Sequence, residues 1–329
     1  MLGFSSFVMS LGCLLMGFAN GFSGLFTGNA IAGAGQAATH PLGASIIADK
    51  YEKKKVSGAL SIFYGLGYLG NIVSPLILGF VAVAIPEGWR YSFFLLALVP
   101  LIAGFVVIIG LRGEPAGDKI NLQGTQDSLL NSIKSALKIR NAALILFAQS
   151  FLAGGGSLII ITTWSPLFLQ TQQFGLDLFQ TSIITAIATT GGVLGTILIG
   201  HNADKIGHLR VAIVNIFSTV ILVFSLTLYS SFTPILVIHL FFIGVTTFST
   251  APLLQAYLAS ISSPSQRDIL IGIFFTVRFG INSVWSTVFG FLIDIYSFNA
   301  AWIGMSLLGT AAFIILFVAY RNAPIKRVS

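Results

Sequence analysis

The sequence predicts an all-α protein that crosses a lipid bilayer many times, and three observations carry that prediction. Only 8% of its 329 residues are charged and 55% are hydrophobic, with a mean hydropathy of +0.93, whereas an ordinary soluble domain carries about 25% charge. Ten apolar stretches are long enough to span, since a membrane helix needs roughly 20 mostly apolar residues. The basic residues gather beside alternate stretches, which is the asymmetry that membrane topology leaves in a sequence.

The expected spans run over residues 1–20, 22–47, 58–84, 89–111, 141–166, 177–200, 209–230, 232–259, 268–293 and 297–320. No Lys or Arg precedes the first, so it lacks the basic n-region of a secretory signal and reads as a mature helix. Lys50, Lys53, Lys54 and Lys55 follow the second span, and Arg112, Lys119, Lys134, Lys138 and Arg140 follow the fourth. Lys205 and Arg210 follow the sixth, Arg267 the eighth, and Arg321, Lys326 and Arg327 the tenth. Only Arg90 falls on the opposite side, and Arg278 lies inside a span. Both termini are therefore expected in the cytoplasm, with the chain in the cell (plasma) membrane. The net charge of +7 is then a topology signal and gives no reason to expect nucleic acid. The bilayer, a small-molecule substrate and a proton or other ion are the expected partners.

A polar linker at 113–140 separates a bundle of four spans, 1–112, from one of six, 141–321, and a cytoplasmic tail follows at 322–329. In "DSLLNSIKSALKIRN" the residues Leu129, Ile133, Leu137 and Ile139 have helical spacing, so an amphipathic helix lying along the membrane surface is expected there.

The stretch "GHNADKIGHLR", residues 200–210, resembles the loop between helices 2 and 3, and its repeat between helices 8 and 9, of major facilitator superfamily transporters. Gly200, Asp204, Lys205, Gly207 and Arg210 match its glycine, acidic and basic positions. Glycines permit a tight cytoplasmic turn, and a carboxylate at a helix end can accept hydrogen bonds from a neighbouring helix N-terminus. Gly33-Ala34-Gly35 resembles the helix 4 motif, with Asn29 where that motif carries Arg. Gly70, Pro75 and Gly79 resemble the helix 5 antiporter motif, with Ser74 and Leu78 where it prefers glycine. "HPLGAS" at 40–45 and "SIFYGLGYLG" at 61–70 are similar to the fosmidomycin-resistance branch of drug exporters. The resemblance implies about ten of the family's twelve helices, with helices 1 and 2 belonging upstream of Met1 through a wrongly assigned start, a truncation or a genuine variant.

Helical spacing places Asn29, Gly33, Gln36 and His40 on one stripe, and Ser61, Tyr64, Tyr68 and Asn71 on another. Each stripe suits either hydrogen bonding between helices or the wall of a substrate cavity. His40, ahead of Pro41, and His239 are each either a proton relay or a neutral side chain bonded to a carbonyl. In the fifth span "GGG" at 154–156 marks either a broken helix or close packing of a neighbour, with Gln149, Ser150, Ser157 and Trp164 around it. Thr181, Thr185 and Thr189 form a stripe that fits bonds to its own helix carbonyls or contact with substrate. Arg278, Asn282 and Ser286 share a face of the ninth span. A charge at that depth costs roughly 3 kcal/mol on insertion scales. Its partner is an acid on absent helices, a carbonyl, or an anionic substrate.

No intramembrane carboxylate pair, HExxH, GxSxG or phosphate-cradling loop is present, and Cys13 is the single cysteine. Neither an enzyme nor a metal or cofactor protein is expected. The expected function is secondary active transport, most simply export of a small organic and possibly anionic compound by proton antiport with alternating access. A uniporter or symporter of a small metabolite is the alternative, and a truncated remnant or partner subunit that transports nothing is the alternative of another class.

Overall fold

The computed structural model describes residues 2–37, 39, 53–110 and 126–322, and every regular element among them is a helix. The chain divides into two compact units, Met1–Ile120 with Leu178–Ile183, and Asn121–Asp177 with Ile184–Ser329.

The first unit contains α1 (Leu2–Gly17), α2 (Phe22–Ala37), α3 (Lys53–Ala84) and α4 (Gly88–Gly110). α1 packs against both α2 and α4. Lipid supplies no hydrophobic drive between helices, so small residues that let backbones touch do the joining. The backbone of Gly12 lies directly against Gly28 and Ala32, and Gly35 lies against Ser5 and Met9. Ser10 Oγ donates to the Ala97 carbonyl of α4 at 2.8 Å. At the far end of α1 the guanidinium of Arg90 donates to the carbonyls of Gly17 and Ala19, covering oxygens that a helix C-terminus leaves unpaired.

The second unit holds α5 (Gln126–Leu137), α6 (Ala142–Gly155), a π-turn at Ile160–Trp164, α7 (Ser165–Leu169), α9 (His208–Ser225), α10 (Pro234–Ile261), α11 (Pro264–Ile295) and α12 (Phe298–Asn322). α8 (Leu178–Ile206) runs through both groupings. α5 packs against α11 and α6 with Ala136 fully buried. α9 shows the membrane solvent in its faces. Val214, Phe217, Ile221 and Phe224 are exposed, while Asn215 and Thr219 are buried with Ile216 and Val223. An apolar outside and a partly polar inside reverse the soluble pattern and suit lipid. Asn215 Nδ2 is satisfied there by the Thr246 carbonyl at 2.7 Å and Thr250 Oγ1 at 2.9 Å.

Seven described helices are long and apolar enough to cross a membrane, and Leu2–Gly17 and Leu69–Ala84 are shorter apolar helices. The sixth expected span differs at its end: α8 continues to Ile206, so Gly200 and Asp204 lie within a helix and the turn into α9 is Gly207 alone. Gly207 has φ 107°, a conformation that only glycine adopts cheaply.

Candidate functional site

The fifth expected span is where the second unit departs from regular helix. α6 stops at Gly155, and Gly156 leaves helical geometry with φ −147° and ψ 23°. Helix resumes through the π-turn at Ile160–Trp164, where Ser165 closes the widened turn by donating its Oγ to the Ile160 carbonyl at 2.7 Å. Pro166 follows and cannot supply the usual N–H four residues on. Both readings of "GGG" therefore hold together. Gly156 is the break, while Gly154 packs on Trp285 and Leu308 and Gly155 lies on the backbone of Met305 and Gly309.

A break in a membrane helix leaves carbonyls that water cannot reach, so the protein must satisfy them. α11 does so. Asn282 Nδ2 donates to the Ala153 carbonyl at 2.7 Å and to Ser157 Oγ at 3.3 Å, and Trp285 Nε1 donates to the Ser150 carbonyl at 2.9 Å. The break also lies between two packed clusters: Ile145, Leu146 and Leu152 belong to one, and Ile160, Trp164 and Phe168 to the other.

One turn before Asn282, Arg278 lines a recess together with Gln149, Leu152, Gly156, Ser157, Thr250 and Ala251. The recess has a cavity volume of about 10 Å³, room for about one water molecule and far below the ~300–1,000 Å³ of a complete small-molecule site. Gln149, Ser157 and Thr250 are each more than nine-tenths buried, and Arg278 is half-buried. Of the residues expected in a cavity, the structure thus brings together Gln149 and Arg278, with Asn282 beside them but committed to the broken helix. Ser157, noted only as a neighbour of the glycines, is in the recess. Thr250 was not anticipated; the polar run Thr246, Thr247, Ser249 and Thr250, all buried in α10, is the signal that could have found it.

The remaining candidates lie elsewhere. Trp164 is in the π-turn, with its indole Nε1 buried and without a hydrogen bond among the described residues. His239 is held at both ring nitrogens, Nε2 by the Leu222 carbonyl at 2.9 Å and Ser225 Oγ at 3.2 Å, and Nδ1 by Tyr229 Oη at 3.0 Å. Asn29, Gln36 and Asn71 are exposed. His40 and the side chains of Tyr64, Tyr68 and Asp204 lie outside the described residues. Thr181, Thr185 and Thr189 are buried; Thr181 Oγ1 donates to the Leu178 carbonyl at 2.9 Å, whereas Thr189 Oγ1 has no hydrogen bond among the described residues.

The three motifs divide similarly. In α3, Pro75 sits inside the helix, Ser74 Oγ bonds back to the Gly70 carbonyl, and Gly79 lies directly against Ser182. In the α8–α9 motif, Lys205 is exposed, and Arg210 reaches α12, donating through Nη2 to Tyr320 Oη at 2.9 Å and lying 5.7 Å from the Tyr320 ring centre.

Helices with apolar exteriors, one of them broken beside a small recess lined by Arg278, define a polytopic membrane protein. The Major Facilitator Superfamily description matches residues 1–286 and 171–329, and the chain belongs to that family. It is 24% identical over 238 residues to the probable galactarate/D-glucarate transporter GudP of Escherichia coli strain K12, covering 63% of this chain and 52% of that protein. It is 24% identical over 322 residues to the uncharacterized MFS-type transporter YcaD of Escherichia fergusonii, covering 97% of this chain and 78% of that protein. The chain thus spans about half the length of the first relative. Among solved structures, the fucose:proton symporter FucP of E. coli superposes with a TM-score of 0.67 at 13% identity, over 98% of this chain and 83% of that one, a likeness of fold.

Proposed function

We propose that the protein is a secondary active transporter that exports a small organic compound in exchange for protons by alternating access, from a plasma membrane in which both termini face the cytoplasm. The observation that carries the transport reading is the recess at the break of α6, where Arg278 and the buried Gln149 meet in otherwise apolar helices. A charged residue inside a membrane span is a marker of function in membrane proteins. Export and proton antiport are supported by the resemblance of Gly70, Pro75 and Gly79 to the antiporter motif, with Gly79 closely packed as that motif requires. The cytoplasmic placement of the termini is supported by the basic residues beside alternate spans.

Proteoliposomes containing this chain and a luminal pH dye test the reading. A solute gradient directed inward alkalinises the lumen if protons leave in exchange, acidifies it if they accompany the solute, and leaves it unchanged for a uniporter. Luminal alkalinisation above an empty-vesicle control is the expected result. Acidification replaces antiport with symport, and the absence of movement for every solute tried supports the remnant reading instead.

A further inference from the structure

We infer that the corner where the start of α9 meets the end of α12 binds an anionic phospholipid of the surrounding bilayer, with Arg140, Arg210 and Arg321 at its phosphate and Phe217, Phe313 and Phe317 under its acyl chains. The ligand is a lipid and not the transported compound, so the inference stands apart from the direction and coupling of transport. α9 begins at His208, α12 ends at Asn322, and the two helices pack against each other. Arg210 fixes their register by donating to Tyr320 Oη from Nε at 3.2 Å and from Nη2 at 2.9 Å. On the neighbouring residue, the Ala319 carbonyl accepts from Asn141 Nδ2 at 2.8 Å, which brings Arg140 to the same corner.

Charge selects the occupant. Residues 140–141, 205–210 and 319–322 contain Arg140, Lys205, Arg210 and Arg321 and no carboxylate, and Asp204, one residue outside them, still leaves three positive charges in excess. All four basic side chains are exposed, and none of them makes an ion pair among the described residues. The partner that Arg210 has is a neutral phenol, which accepts two N–H groups and keeps its own O–H to donate. Nη1 of the guanidinium and that hydroxyl are both open to a phosphate oxygen. Basic residues just outside a span attract anionic lipid, and tyrosine collects at the same headgroup level.

Below the charges the surface suits acyl chains. Arg210, Val214, Phe217 and Ile221 follow one stripe of α9, and the last three are exposed apolar side chains. Phe313 of α12 meets Phe217 with ring centres 5.5 Å apart and meets Phe317 at 6.2 Å, so an aromatic floor crosses the junction between the helices. Phe217 is seven residues beyond Arg210, about 10 Å along the axis, whereas the headgroup layer is about 5–8 Å thick. A guanidinium among the phosphates therefore puts these rings in the hydrocarbon. A free phosphate ion would use the arginines and leave the floor uncovered, while a phospholipid uses both.

Native mass spectrometry of the purified full chain in neutral detergent, titrated with phosphatidylglycerol or with phosphatidylcholine of the same acyl chains, tests the site. Phosphatidylglycerol is expected to be retained at least about fivefold more tightly, the scale of one basic residue near an anionic lipid surface. Arg140→Gln and Arg321→Gln each remove a charge and no hydrogen bond among the described residues, so each should weaken phosphatidylglycerol binding roughly fivefold. Both remain informative if Arg210→Gln does not fold. Phe217→Ala should weaken it as well, which a site for the headgroup alone would not show. Arg267→Gln makes the same charge change on the exposed start of α11 and should leave binding unaltered. Equal retention of the two lipids, equal losses for Arg267→Gln and Arg321→Gln, or undiminished binding by Phe217→Ala overturns the inference. Displacement of the lipid by millimolar inorganic phosphate overturns it too, in favour of a free-anion site.

Discussion

Replacing Gly155 by alanine tests the packing that positions the recess. A Cβ at this position would fall against the backbone N of Gly309 and the carbonyl O of Met305 on α12, with Leu308 Cβ 2.9 Å away. The two closest obstacles are backbone, which cannot rotate aside, so α12 must withdraw by about an ångström to reach ordinary contact at ~3.5–4.0 Å. A gap of that size forfeits a quarter to a half of each neighbouring contact, and overpacking of this kind costs about 1–3 kcal/mol. Against it stands the helix preference for alanine over glycine, about 1 kcal/mol in a helix interior and less here, because Gly155 is the last residue of α6. Destabilisation by about 1–2 kcal/mol is the expected balance, a factor of roughly 5–30 in the folded-to-unfolded ratio. Reversible unfolding of the purified protein in mixed micelles, titrated with denaturing detergent, measures it. Gly200→Ala is the control: nothing lies within 4 Å of its Cβ, and it sits inside α8, so the helix preference should act alone and stabilise by up to about 1 kcal/mol. A Gly155→Ala protein as stable as the parent would refute the close approach of α6 and α12.

Four further substitutions probe other joints in the same unfolding assay. Asn282→Leu leaves the Ala153 carbonyl without its side-chain donor and should cost about 1–3 kcal/mol; an unchanged midpoint would mean that the break in α6 is satisfied in some other way. Gly207→Ala forces a side chain onto φ 107° and should cost about 1–3 kcal/mol, the opposite sign to Gly200→Ala within the same motif; stabilisation would show that α8 continues into α9 without that turn. Arg90→Ala removes the donors to the Gly17 and Ala19 carbonyls and should cost about 1–3 kcal/mol, whereas Glu87→Gln breaks only an exposed ion pair and should cost no more than about 1 kcal/mol; equal losses would place the stabilisation in the ion pair.

Hydropathy made the helices legible because lipid imposes a length and a composition on whatever spans it. It could not show that α8 carries Gly200 and Asp204 inside a helix, since a charged helix end and a polar turn have the same composition. Two members of the recess, Gln149 and Arg278, were legible as candidates and their assembly was not: Gln149 on α6 and Arg278 on α11 are far apart in sequence, and no periodicity within one helix pairs them with each other. Polar residues inside a membrane posed the harder problem. Asn282 and His239 both look like cavity residues in the sequence, yet each proves to be bonded within the described protein, to Ala153 and Ser157, and to Leu222, Ser225 and Tyr229, as Asn215 is to Thr246 and Thr250. Lipid leaves them no alternative, because an unbonded polar group there has no water to turn to. Polarity inside the membrane therefore does not by itself mark a transport site.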